Sequence, residues 1–225
     1  MLTGIIAPVA YLKHCSSPLC YCYADMLNDA TYFKYYLGNR GVTLILDYSA
    51  KLPRKVDIYH YHYQIQRLKP TAVVLPSVDY SALRTIDLVR EFLGLGSYPM
   101  TIGTLQGNDL ESLDECYSFL KEHCDIIGLP SPLEIIARRD EIIRDIGITG
   151  KVLYIEVYAN PFEEVPPKDS LGVCTSYPLR LASEWRKLSD YKPTPKPLDF
   201  HANGLPEGLV VQNVREYKEV LSYVK

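Results

Sequence analysis

The chain is predicted to be an α/β protein, a compact (β/α)8 TIM barrel, with residues 1–225 forming a single barrel domain. Three observations support this. Short apolar runs alternate with amphipathic runs along the chain, the pattern of a parallel sheet with helical crossovers. The apolar runs are continuous rather than alternating, as strands buried on both faces require. Candidate strands number eight, the count that closes a barrel.

The candidate strands are Gly4–Leu12, Val42–Asp47, Ala72–Pro76, Met100–Gln106, Asp125–Leu129, Val152–Val157, Leu171–Thr175 and Leu209–Val211. Helices are predicted over Asp25–Leu37, Asp57–Leu68, Ser81–Leu93, Asp109–His123, Leu133–Ile146, Leu179–Leu188 and Val214–Tyr223. In Asp109–His123, Leu110, Leu113, Cys116, Tyr117 and Leu120 recur at helical spacing, while Glu111, Asp114, Glu115 and Lys121 fall outside that stripe. Asp109 and Ser131-Pro132 read as N-terminal caps. The stretch Asn160–Asp169 and the proline-spaced Tyr191–Pro197 read as loops, because alternating prolines forbid helix.

Composition narrows the function classes. At 225 residues, with 47% hydrophobic and 23% charged, the chain can bury one substantial core. A net charge of -3 and a pI near 6.0 leave no global cationic field, so nucleic-acid contact would need a local basic patch. The N-terminus lacks a basic leader, and no stretch approaches the roughly 18 apolar residues of a membrane span. The expectation is a cytoplasmic protein with no membrane partner, in a host cell if virus-encoded. Six cysteines without a secretory leader read as reduced thiols. Cys15, Cys20 and Cys22 beside His14 do not have the spacing of a zinc knuckle, and no metal is expected. Nineteen tyrosines against five phenylalanines are unusual. Tyr32, Tyr35 and Tyr36, then Tyr59, Tyr61 and Tyr63, are expected to cover the barrel or pack a partner, which admits a homo-oligomer.

In such a barrel the residues after each strand converge on one end, where substrate is met. They are Asp47, Ser77 with Asp79, Gln106 with Gly107, Gly128 with Leu129, Glu156, and Cys174 with Thr175 and Ser176. Asp47 follows four apolar residues, so its carboxylate is placed at the rim of a dry core, suited either to acid/base work or to a turn hydrogen bond. Gln106 offers a donor and an acceptor to the edge of a purine-like base. Gly107 and Gly128 would admit a flat ligand close to the backbone, or simply serve turns. Arg180, Arg186, Lys187, Lys192 and Lys196, with Trp185, could form a phosphate-contacting edge; Glu184 and Asp190 interrupt it. The helix carrying Arg138, Arg139 and Arg144 with Asp140, Glu141 and Asp145 reads as salt-bridged surface.

Several segments, in order, carry a resemblance. Cys22-Tyr23-Ala24-Asp25 through Tyr32, Leu46-Asp47-Tyr48-Ser49-Ala50, Val74-Leu75-Pro76-Ser77-Val78, Leu105-Gln106-Gly107, Ile127-Gly128-Leu129-Pro130 and Gly172-Val173-Cys174-Thr175-Ser176-Tyr177-Pro178 follow one another across most of the chain. Together they resemble the tRNA-guanine transglycosylase superfamily, and most of all the members that place 7-deazaguanines in DNA, in a compact form such as a viral or archaeal member. That resemblance implies a glycosyl (pentosyl) transferase that exchanges a guanine or 7-deazaguanine base in DNA or tRNA without a cofactor. It implies that Asp47 handles protons, that Cys174 stands at the nucleophile position and Ser77 at the base-reading position, both of which are aspartates in the family. Asp79, Gln106, Gly107, Gly128, Leu129 and Glu156 would line the substrate site, and Arg180, Arg186 and Lys187 would meet nucleic acid. The family's zinc motif is absent, with only His201 in the corresponding region. Three outcomes stay open: Cys174 attacks, Glu156 or Asp79 supplies the carboxylate, or the chain binds a modified base without exchange. A separate alternative is an unrelated barrel glycoside hydrolase using Asp47 and Glu156 as paired carboxylates.

Overall fold

The computed structural model describes residues 2–15, 19–39, 43–48, 57–131, 136–157, 166–167, 170–190 and 196–223. Ser49, Ala50, Lys192, Pro132 and nearly all of the two expected loops, Asn160–Asp169 and Tyr191–Pro197, lie outside the described residues. Eight strands are formed: β1 Leu2–Ile5, β2 Leu19–Tyr23, β3 Thr43–Asp47, β4 Ala72–Val74, β5 Met100–Thr104, β6 Ile126–Pro130, β7 Val152–Ile155 and β8 Gly172–Thr175. Each pairs in parallel with its neighbours in chain order, and β8 pairs with β1 to close the barrel. The predicted (β/α)8 barrel is therefore the observed architecture.

The α-helices are α1 Leu12–Cys15, α2 Ala30–Gly38, α3 Ile58–Leu68, α4 Ala82–Leu93, α5 Leu110–His123, α6 Arg139–Ile146, α7 Tyr177–Ser183 and α8 Glu207–Tyr223. Their starts follow local capping chemistry. Asp57 accepts from Tyr59 N at 2.7 Å, and Asp109 forms a reciprocal capping box with Ser112. Asp25 does not open a helix: it lies in a 3-10 turn, Ala24–Asn28, and Asp29 caps α2 through Thr31 N at 2.7 Å. The first strand is shorter than predicted, since Val9–Tyr11 turns into a 3-10 segment before α1. The predicted helix Leu179–Leu188 is also shorter and begins earlier, covering Tyr177–Ser183.

Two strand assignments change. Leu209–Val211 is helix, because Val210, Val214, Tyr217 and Leu221 bury one face of α8 at helical spacing. The eighth strand is instead β2, Leu19–Tyr23, all five residues of which are buried. Its Cys and Tyr residues stand on alternate faces of the sheet, as strand geometry demands.

Closure depends on an absent side chain. A Cβ on Gly172 would lie 2.1 Å from Leu2 O and 2.8 Å from Leu2 C, where the last strand meets the first. Gly172→Ala is expected to destabilise the protein by about 2 kcal/mol or more, since backbone rather than a flexible side chain must yield. Gly208 in α8 has nothing within 4 Å of its Cβ position. Gly208→Ala is expected to stabilise by about 0.5–1 kcal/mol through helix propensity. Urea unfolding midpoints check both, and an unchanged midpoint for Gly172→Ala would show that the β1–β8 junction is looser than this.

Candidate functional site

Strand β2 positions the polar groups at the mouth of the barrel. A Cβ at Gly4 would meet Cys174 Sγ at 3.1 Å, Leu19 Cδ2 at 3.1 Å and Tyr21 Cβ at 3.3 Å. Tyr21, and by the two-residue period Tyr23, therefore project into the barrel with Cys174. The Tyr21 hydroxyl donates to Asp47 Oδ2, and the Tyr23 hydroxyl donates to Glu156 Oε1. The two rings meet edge to face at 5.8 Å, and Phe200 packs against Tyr23 at 6.2 Å. Asp47 and Glu156 are each 2% exposed. Carboxylates this dry need such partners, because desolvation disfavours an unpaired charge.

Glu156 reaches this position through its backbone. Ile155 faces the barrel interior, since a Cβ on Gly128 would lie 2.7 Å from Ile155 Cδ1. Alternation would then send Glu156 outward. At φ +57 its backbone is left-handed, which breaks the alternation and lets the carboxylate meet Tyr23. Behind it, Arg139 Nη2 donates to Ile155 O at 3.3 Å and the guanidinium lies 5.3 Å from the Tyr154 ring. Arg139 is 1% exposed, which corrects the expectation that all three arginines of this helix are surface groups. Arg138 and Arg144 do pair at the surface, with Asp140 at 3.1 Å and Asp145 at 2.9 Å.

Cys174 is fully buried, and its thiol is held well above the ordinary range, first by burial and then by the charges of Asp47 and Glu156. The same causes, burial and then Asp47, raise the Tyr21 phenol, so it remains a donor. Thr175 Oγ1 donates to Val157 O and accepts from Tyr177 N at 2.9 Å. Ser176 Oγ accepts from Arg180 Nε at 2.9 Å.

The other sequence-derived candidates divide by height in the barrel. Gln106, buried, accepts from Tyr80 N at 3.1 Å and donates to exposed Asp79 Oδ1 at 3.5 Å, so its amide braces the turn after β4. Ser77 is half-buried before that turn. Gly107 lies against the start of α5, where a Cβ would be 2.7 Å from Ser112 Oγ and 2.8 Å from Leu113 N. Gly128 and Leu129 lie within β6; Ile155 and Ile102 fill the space over Gly128, and its carbonyl accepts from Leu105 N at 2.9 Å. Arg186 donates to Asp190 O at 3.0 Å, Lys187 is exposed, and Trp185 is 76% exposed.

Among the described residues, no group of three or more His, Cys, Asp or Glu is placed to hold a metal ion, and no helix is long and apolar enough to cross a membrane. No disulfide joins any of the six cysteines, and Cys124 alone is only half-buried. No family model matches the chain, and no curated protein matches it. What is shown is the barrel itself.

Sequence reasoning missed Tyr21, Tyr23 and Asp25. Asp25 follows β2 by two residues, is 9% exposed, and neither carboxylate oxygen has a hydrogen-bond partner. Burial pushes its carboxyl up to about 6 from an ordinary 3.8. The folded state thus holds this proton more tightly than the unfolded chain. The associated stability is full below pH 3.8 and is lost as pH rises through about 6. Asp25→Asn removes that loss, so its stability relative to native is expected to improve between pH 4.5 and 7.5. Denaturant midpoints at the two pH values check this, and an equal difference at both would contradict it.

Proposed function

We propose that the chain is a transglycosylase-like barrel protein that takes a guanine or 7-deazaguanine nucleotide of DNA or tRNA at the βα mouth, with Asp47 and Glu156 as its working carboxylates. The observation that carries this reading is the convergence of two dry carboxylates at one end of the barrel, each accepting from a tyrosine of β2. Paired carboxylates suit displacement at an oxocarbenium-like carbon: one forms a bond to C1′ and the other manages the proton of the departing base. In this scheme Glu156 attacks C1′, the C1′–N bond breaks, and the base leaves with a proton delivered from Asp47. The reverse sequence, with an incoming base giving its proton to Asp47, breaks the sugar ester and returns both carboxyls to their starting state. Tyr21 and Tyr23 stabilise the anionic forms and fix their orientation. Cys174 serves as wall rather than nucleophile, because a neutral buried thiol neither offsets positive charge at C1′ nor attacks well.

A second reading, a relative that binds the base without exchanging it, is favoured by that same Cys174, which stands where the resemblance places the attacking carboxylate. Incubating the protein with labelled guanine or 7-deazaguanine and either DNA or tRNA separates the two. Exchange is expected in the native chain, falling by about 100-fold or more in Asp47→Asn and in Glu156→Gln, and persisting in Cys174→Ala. Base binding without label transfer supports the non-exchanging relative, and base release that leaves an abasic site, without base incorporation, supports a barrel hydrolase.

A further inference from the structure

The outer face of α3 carries rings and a cation with no acid among them. Ile58, Tyr61, Ile65 and Leu68 pack inward, so Tyr59, Tyr63, Gln66 and Arg67 form the opposite stripe of the helix. Tyr59 is 60% exposed and Tyr63 55%. Arg67 lays its guanidinium over two rings, 4.5 Å from the centroid of Phe33 on α2 and 5.6 Å from that of Tyr63. A guanidinium stacked in this way keeps its N–H edge for another partner. Lys34, next to Phe33, is exposed, and neither α2 nor α3 contains an Asp or Glu; the caps Asp29 and Asp57 each accept from a backbone N–H. In a chain of net charge -3 this face is a local cationic surface. It starts level with the barrel mouth, since His60 Nε2 lies 3.3 Å from Asn28 Oδ1 and Gln64 Nε2 donates to Ala24 O at 3.2 Å, both in the turn that follows β2.

We propose that this face binds single-stranded nucleic acid, with Tyr59 and Tyr63 each stacking a base while Arg67 and Lys34 meet phosphates. The inference goes beyond the base-exchange reading, because it needs no guanine and no reaction at the mouth. Every base offers a flat face to an exposed ring, and a cation beside the ring holds the backbone. Spacing selects the single strand. Four residues of helix rise about 6 Å, whereas bases stacked in a duplex repeat every ~3.4 Å. Two neighbours within a duplex therefore cannot each cover one tyrosine, and an opened strand can. A protein partner fits less well, since α3 exposes no aliphatic side chain from which a dry interface core is built.

The test is fluorescence anisotropy of the full chain with labelled oligothymidine and oligouridine, probes that lack guanine, and with an oligothymidine–oligoadenosine duplex as competitor. Binding of either single strand supports the inference, and the ratio of the two shows which sugar is favoured. The duplex is expected to compete poorly. Tyr59→Ala and Tyr63→Ala are each expected to weaken binding about tenfold, while Tyr59→Phe and Tyr63→Phe keep the ring and the affinity. Arg67→Gln is expected to make the slope of log affinity against log salt shallower by about 0.7, the share of one phosphate contact on a single strand. These side chains lie outside the core, so thermal unfolding of each variant is expected to match the native chain. Unchanged affinity in both alanine variants, tighter binding of the duplex, or no binding of either strand by the native chain would each overturn the inference. Self-association of the native chain that Tyr63→Ala abolishes, without oligonucleotide binding, would assign the face to a second copy instead. Base exchange at the mouth is measured separately, so either reading can fail while the other stands.

Discussion

Two carboxylates can remain in the dry mouth of this barrel because a single strand brings a phenol to each of them. Asp47 on β3 and Glu156 after β7 stand on opposite sides of the closed sheet, and β2 bridges them with Tyr21 and Tyr23. The two-residue spacing is essential. It puts both rings on the inner face and leaves Cys20 and Cys22 to pack outward, where Tyr36 of α2 bonds Cys22. Each phenol satisfies a carboxyl oxygen whose burial would otherwise cost free energy.

Much of the architecture was legible in the sequence, and the two misassigned strands have separate causes. Leu209–Val211 looks like a strand over three residues, and only the longer window through Val214, Tyr217 and Leu221 reveals a helix. Leu19–Tyr23 looks like a cysteine cluster because its chemistry draws the eye from its pattern. Yet Ser16-Ser17-Pro18 punctuates a buried run rich in strand-favouring tyrosine. The two misassignments offset each other in number, so the expected eight strands appeared while the strand supplying the key donors went unread.

The placement of the candidate residues was legible where position in a strand decides it, as for Asp47 at the end of β3 and Cys174 in β8. It was illegible where tertiary pairing or backbone conformation decides it. Nothing in the residue types of Gln106 shows that its amide is spent on Tyr80 and Asp79. Nor does periodicity place Glu156 inside, since its inward turn arises from φ +57. The tyrosines show the same division. Tyr32, Tyr36 and Tyr61 are core, and Tyr61 lies 2.8 Å from Leu46 O and 2.9 Å from Val74 O at the ends of β3 and β4. Tyr59 and Tyr63 on α3 remain more than half exposed.

The left-handed backbone at Glu156 has a consequence for how such a sequence changes over time. Glycine meets that conformation without the crowding that any Cβ brings. Selection on folding alone would let this position drift toward glycine or asparagine, each step easing the turn after β7 and emptying one side of the mouth. A lineage that keeps a glutamate here is retaining a carboxylate against the preference of its own main chain. Loss of that residue in a descendant would therefore remove the carboxylate and relax the turn after β7 in a single step.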